Sequence, residues 1–244
     1  MADKAERAGL NLAHMAYRQE GGRLCRAAAA PADTRGGTMV CDVTGLRPGD
    51  GARTLARGIN AECAARGYTG VVIGCGGEPD DAFAQLAVLT ADTAAERGVR
   101  VFCPEGAAAR VKGTVALIPT AMSGGVLEDR VTEAVRHFGG DGVALEIDMA
   151  SEDFALPSPR GEGRRITADE LTSLAVRRCL KPHFSDELCC NYFTYREGAA
   201  RHVVLYDDIF SVRAKLALAA RCGVGTAFLF YPQAAPFAGC LCLS

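Results

Sequence analysis

The stretch Arg66-Gly67-Tyr68-Thr69-Gly70-Val71-Val72-Ile73-Gly74-Cys75-Gly76-Gly77-Glu78 decides the fold. Gly67 is the left-handed residue that stops a helix. Val71-Val72-Ile73 is the short β-branched run of a strand buried on both faces, as in a parallel sheet covered by helices. Glu78-Pro79-Asp80-Asp81 then predicts the start of the next helix, with a proline and acids in its first turn. This helix–strand–helix unit recurs along the chain.

Toward the N-terminus, Thr38 to Thr44 is a clear strand, and Pro48-Gly49-Asp50 makes a turn and helix start. That helix runs to about Ala65 and gathers Leu55, Ala56, Ile59 and Cys63 on one face. Leu10 to Tyr17 is a weaker candidate strand, and Ala27 to Gly37 reads as a loop or short helix. Toward the C-terminus, Asp81 to Glu96 is a helix ended by Gly98, with strands at Val99 to Cys103 and Thr114 to Ile118. Leu127 to Phe138 is helical by the spacing of Leu127, Val131, Val135 and Phe138, and Val143 to Met149 is the next strand. The rhythm then breaks. A Pro/Gly-rich loop precedes a capping box at Thr167-Ala168-Asp169-Glu170 and a helix to about Leu180. Strands at Cys190 to Tyr195 and His202 to Tyr206 flank a turn at Glu197-Gly198. Asp207 or Asp208 caps a helix through Arg221, and Thr226 to Tyr231 is the last strand. Alternation of this kind implies a parallel sheet, and pattern alone fits a closed barrel and an open doubly wound sheet nearly equally.

The 244 residues suffice for one large core, and 49% apolar with 23% charged residues is the balance of a globular protein. A net charge of −2 offers no electrostatic footprint for nucleic acid or a membrane surface. The basic run from Arg160 to Arg165 lies among Pro and Gly and reads as a solvated loop. The first residues lack a signal-peptide core, and no apolar run approaches the ~20 residues that span a bilayer. Eleven cysteines without a secretory signal point to buried thiols in a reducing, cytoplasmic setting. None forms a C-x-x-C pair; Cys189-Cys190 and Cys240-x-Cys242 are the close ones, so no metal site is expected. No cofactor is expected either. Gly74-Cys75-Gly76-Gly77 could cradle a phosphate, but the acids that follow would repel it, and Glu128 and Asp129 do the same after Gly124-Gly125. The histidines have neither metal spacing nor a paired nucleophile.

The run from His202 through Tyr206-Asp207-Asp208, Ser211 and Lys215, followed by Cys222-Gly223-Val224-Gly225 leading to Phe230, resembles the C-terminal segment of family-18 glycoside hydrolases, the chitinase-like enzymes. It is most similar to the spore-germination and cortex-lytic branch. Arg66 to Gly76 resembles that family's fourth barrel strand, and Gly113 to Gly125 its sixth. The resemblance implies an α/β fold: a TIM-type (β/α) barrel with shortened or missing N-terminal strands. It also implies a small α+β insertion before the last strand. Residues 1–151 and 209–244 would form the barrel and 152–208 the insertion.

The chain departs from the family where chemistry is done. The fourth-strand motif Asp-x-x-Asp-x-Asp-x-Glu falls here on Thr69, Val72, Gly74 and Gly76. Its Glu protonates the glycosidic oxygen in a substrate-assisted mechanism, and glycine has no group to do so. The sixth-strand Met-x-Tyr-Asp falls on Ile118, Pro119, Thr120 and Ala121, and the indole floor of the sugar site becomes Phe230. The resemblance without its acid motif leads to the expectation of a degenerate, non-catalytic barrel that binds a carbohydrate, of cell-wall origin, or a protein partner.

Other carboxylates keep an enzyme alternative open. Strand alternation places Ala144, Glu146 and Asp148 inward, the two acids roughly 6–7 Å apart. Glu146 and Asp148, with Glu105 after Cys103, are the candidate catalytic set for a glycosidase with relocated carboxylates. Set against that, the same groups serve as hydrogen-bonded acids shaping a dry barrel top. Candidate ligand-binding residues are Asp42, Glu78, Thr120, Tyr206, Asp207, Phe230 and Tyr231. Helix-terminus charge for Glu78, capping for Asp207 and core packing for the aromatics are the competing roles. A third alternative is a scaffold whose apolar tail, Pro236 to Leu243, packs on another subunit.

Overall fold

A computed structural model describes residues 9–27, 37–49, 51–74, 76–149, 151–158, 161 and 163–231. The segments expected as a loop or helix at 27–37 and as an apolar tail at 236–243 lie largely or wholly outside them. The elements run β1 (Gly9–Glu20), β2 (Arg23–Arg26), β3 (Thr38–Asp42), α1 (Ala52–Arg66), β4 (Gly70–Gly74), α2 (Asp81–Ala95) and β5 (Arg100–Pro104). A one-turn α3 (Glu105–Ala108), β6 (Thr114–Pro119), α4 (Leu127–Phe138) and β7 (Val143–Ile147) follow. Then come β8 (Ser151–Leu156), β9 (Arg164–Arg165), α5 (Ala168–Arg177), β10 (His183–Ser185), β11 (Cys190–Glu197), β12 (Ala200–Tyr206), α6 (Ile209–Arg221) and β13 (Thr226–Tyr231).

Strands β1, β3, β4, β5, β6, β7 and β13 pair in that order, all parallel, and β13 pairs back onto β1 with Leu10 opposite Ala227. The sheet therefore curls into a ring one strand short of the usual eight. β1 closes it because it is long: its first half pairs with β13 and its second with β3 and, antiparallel, with β2. The strand β2 carries no sequence signal beyond its hairpin with β1 through Gly21 and Gly22.

Period-two alternation sorts the ring's side chains into two layers. Val71, Ile73, Val101, Cys103, Ala116, Ile118, Leu145 and Ile147 face outward, against the helices. Ala13, Val40, Val72, Phe102, Val115, Leu117, Ala144 and Phe228 fill the lumen, with Phe102 and Phe228 edge to face at 4.7 Å. At the end of α1, Gly67 takes φ 67° and its N–H bonds the Cys63 carbonyl, as its place in the sequence requires. The next helix differs from expectation. Asp80, not Pro79, is the boundary residue, and its carboxylate accepts from the Phe83 N–H. A cap that satisfies an orphan donor outcompetes a proline that cannot.

The interval after β7 holds a second, antiparallel sheet in the order β10-β11-β12-β8-β9, with α5 against it. Thr167 and Glu170 form the expected reciprocal capping box of α5. Strands β8, β9 and β10 arise where the sequence reads as loop. They are short or interrupted by turns, and cross-strand pairing with β11 and β12 supplies what local pattern lacks. No described helix is long and apolar enough to cross a membrane. Burial pushes the Cys41 thiol up to about 12 and those of Cys63 and Cys190 to about 11, so these cysteines behave as apolar filler.

Candidate functional site

The strands deliver a cavity of about 320 Å³ at the C-terminal mouth of the barrel. Its wall continues the inward face of the strands past the lumen: Asp42 and Thr44 after Val40, Gly74 and Gly76 after Val72, Pro104 after Phe102, Glu146 and Asp148 after Ala144, and Phe230 after Phe228. Period two thus carries the lumen's apolar layer upward into a polar rim. A second cavity of about 740 Å³ adjoins it, sharing Pro104, Leu117 and Glu146 and adding Glu78, Glu105, Glu133 and Arg130.

Gly74 and Gly76 are what hold the mouth open. A Cβ at Gly74 would meet nothing within 4 Å. A Cβ at Gly76 would lie 3.1 Å from Thr44 Oγ1. Thr44 is locked there: its hydroxyl donates to Asp42 Oδ1 at 2.6 Å and accepts from the Gly76 N–H at 2.8 Å. Asp42 also accepts the Thr44 N–H at 2.9 Å. The position that resemblance implies for the general acid therefore has no side chain, and one added there would press on Thr44.

Glu146 is half-buried, and among the described residues no cation pairs with it. Burial, and after it the charge of Asp148, pushes its carboxyl above the ordinary range. Two other candidate acids do have a cationic partner. Asp148 is held by the Arg165 guanidinium, which also lies 3.7 Å from Glu152, so an arm of the second sheet reaches over the barrel rim. Glu105, the first residue of α3, is clamped by both terminal nitrogens of Arg130 from α4, one at 3.2 Å. Glu105, Glu146 and Asp148 are thus not one cluster. Asp148 and Glu105 border different cavities, and only Glu146 touches both.

The remaining candidates separate. Glu78 is exposed beside Glu105 in the larger cavity. Phe230 lines the mouth and packs on the lumen. Tyr231 ends β13, and its side chain lies outside the described residues. Thr120 does not face the mouth. Its N–H and hydroxyl both bond the Glu146 carbonyl, at 2.9 and 3.1 Å, and the inward residues of that strand are Val115, Leu117 and Pro119. The residue that the resemblance matches to the family's tyrosine thus lies on the face opposite the lumen. Tyr206 and Asp207 sit at the junction of the barrel with the second sheet, away from the mouth. Asp208, with Ser211, caps α6, which leaves Asp207 free to pair with the buried Lys215 at 2.5 Å.

Sequence reasoning missed Thr44, Arg130, Arg165 and Lys215. Only Lys215 carried a signal: it stands on the buried face of α6 at helical spacing from Ser211, where a lone cation must have a partner. Among the described residues no group of three or more metal-ligating side chains assembles.

No family model matches the chain, and no curated protein matches it in sequence. Solved structures do match in shape. The spore cortex-lytic enzyme SleL of Bacillus megaterium superposes with a TM-score of 0.64 at 13% identity, over 95% of this chain and 71% of its own. A chitinase from Chromobacterium violaceum gives 0.61 at 14%, over 91% and 86%. A class V chitinase from Nicotiana tobaccum, bound to NAG4, gives 0.62 at 9%, over 92% and 93%. The fold is therefore a TIM-type barrel of the chitinase kind.

Proposed function

We propose that the barrel mouth binds a carbohydrate without hydrolysing it. The observation that carries this reading is the glycine pair 74 and 76: the cleft is open, and the position implied for the proton donor is occupied by backbone and Thr44. What remains suits recognition. Asp42, Glu146 and Asp148 offer acceptors to sugar hydroxyls, and Phe230 offers an aromatic face to the ring C–H groups. Neighbours of the same fold are bound to NAG4 and (GlcNAc)3, and others are spore cortex-lytic enzymes, which supports a cell-wall glycan as the ligand class. Calorimetric titration with chitotetraose and cortex muropeptides tests this. Saturable binding without product, weakened by Phe230→Ala, is expected; turnover of any of these glycans refutes the non-hydrolytic reading, and absence of binding refutes the glycan.

A working glycosidase is the second reading, favoured by one observation. Glu146 is a carboxyl kept above its ordinary range by burial, the same physics that prepares a general acid. Hydrolysis of a chromogenic N-acetylglucosaminide that is lost in Glu146→Gln would establish it; hydrolysis unaffected by Glu146→Gln would exclude Glu146.

A further inference from the structure

A third cavity, of about 160 Å³, lies between the barrel and the second sheet and shares no wall with the mouth. At its wall stand two charged side chains removed from solvent, Lys215 at 1% and Asp207 at 5% exposure. Lys215 Nζ donates to Asp207 Oδ2 at 2.5 Å, and that is its one hydrogen bond among the described residues, leaving further N–H donors unused. Asp207 Oδ1 is buried and has no hydrogen-bond partner among them. The Ser211 hydroxyl is near enough to favour the Asp207 carboxylate, but its proton goes to the Asp208 carbonyl at 2.8 Å within the α6 cap. Buried acceptors in native proteins are satisfied, and an orphan beside a cavity points to what the cavity takes up.

The chemistry of that occupant is constrained. The pair is neutral as a whole, and Glu152, also at the wall, lies 3.7 Å from Arg165, so an anion would meet two carboxylates and a cation would meet Lys215. A hydroxyl is donor and acceptor in one group, and two adjacent hydroxyls would satisfy Oδ1 and the spare ammonium hydrogens together. The volume exceeds what a single buried water requires. The cavity shares Phe154, Leu188 and Leu205 with an adjoining groove of about 590 Å³ along the second sheet, walled also by Leu156, Phe184 and Tyr192. Phe184 is 42% exposed there, an aromatic surface of the kind that stacks on pyranose rings. We propose that this junction is a second sugar subsite, in which Asp207 and Lys215 hold the vicinal hydroxyls of a glycan whose next rings run over Phe184 and Tyr192.

The inference stands apart from the mouth, and the test separates the two. The protein is labelled at its methionine methyl groups, and Met122, which lines the cavity, is followed by NMR during titration with chitotriose, glycerol or sodium acetate. Chitotriose is expected to shift Met122 saturably, and Phe230→Ala at the mouth to leave that response intact. Ala121→Phe fills the cavity from an exposed loop position without touching the ion pair, and is expected to abolish the response with an unchanged circular dichroism spectrum. Asp207→Asn is expected to weaken it at least ten-fold. Loss of the Met122 shift in Phe230→Ala means that the mouth alone is being reported and overturns the junction site. Survival of the shift in Ala121→Phe overturns it too, as does no shift at all, which would leave Oδ1 to an ordered water. A response to glycerol but not chitotriose overturns the glycan, and a response to acetate overturns the neutral class.

Discussion

Replacing Lys215 by Met removes the partner of a carboxylate that is 5% exposed and 2.5 Å away, while keeping an unbranched stem as far as Cε. Breaking a buried pair from one side costs about 3–5 kcal/mol, because the charge left behind has lost both water and counter-ion. For a chain of this size that corresponds to a fall of roughly 6–20 °C in Tm. The pH dependence identifies the cause. Burial already pushes the Asp207 carboxyl up, and Lys215 pulls it back; without Lys215 it rises further. A carboxyl raised in the folded state contributes fully below its unfolded value of about 3.9 and loses that contribution as pH rises through the folded value. The deficit of Lys215→Met against the wild type should therefore be largest near pH 8 and shrink toward pH 4. A double variant, Lys215→Met with Asp207→Leu, should recover most of the loss, since an apolar pair of similar volume replaces a buried ion pair at little cost. Urea titration followed by far-UV circular dichroism is the assay, as the chain has no Trp. A deficit under about 1 kcal/mol, a deficit flat with pH, or a double variant no better than the single would refute the reasoning.

The same linkage applies to Glu146, whose carboxyl is raised by burial and by Asp148, so Glu146→Gln should be more stable than wild type at pH 7–8 and indistinguishable from it below pH 4, read from urea midpoints. Gly74→Ala should stabilise by about 0.4–1 kcal/mol through the unfolded chain, because a Cβ there meets nothing, whereas Gly76→Ala should destabilise by pressing on Thr44; equal effects would show that the crowding is absent. Thr167→Ala should cost about 1 kcal/mol locally. Because α5 has no fully buried residue of its own, hydrogen exchange should speed up over 168–177 and leave the barrel strands unchanged.

Several elements were legible because local chemistry decides them. Leu127 to Phe138 forms a helix over the span that its apolar spacing predicts, and Thr167 with Glu170 caps α5 through contacts three residues apart. The inward set Ala144, Glu146, Asp148 follows from strand period alone, and the structure carries all three on the lumen side. Thr120, proposed from the resemblance and not from period, lies on the other face, because alternation from Val115 and Leu117 turns Pro119 inward. Local pattern failed for β8 to β10 because their pairing partners lie tens of residues away. It was silent on which acids are paired, since Arg130 reaches Glu105 from another helix and Arg165 reaches Asp148 from another sheet.

By itself, then, the sequence settled the alternating strands and helices of the ring, the inward face of β7, and the absence of a side chain at positions 74 and 76. All of these depend on neighbours within a few residues. Closure of the ring through β1 and β13, the division of three acids between two cavities and the burial of Lys215 against Asp207 were decided only in three dimensions. Each joins groups that backbone periodicity cannot relate, and its energy comes from desolvation and long-range pairing, which exist only once the chain has closed on itself.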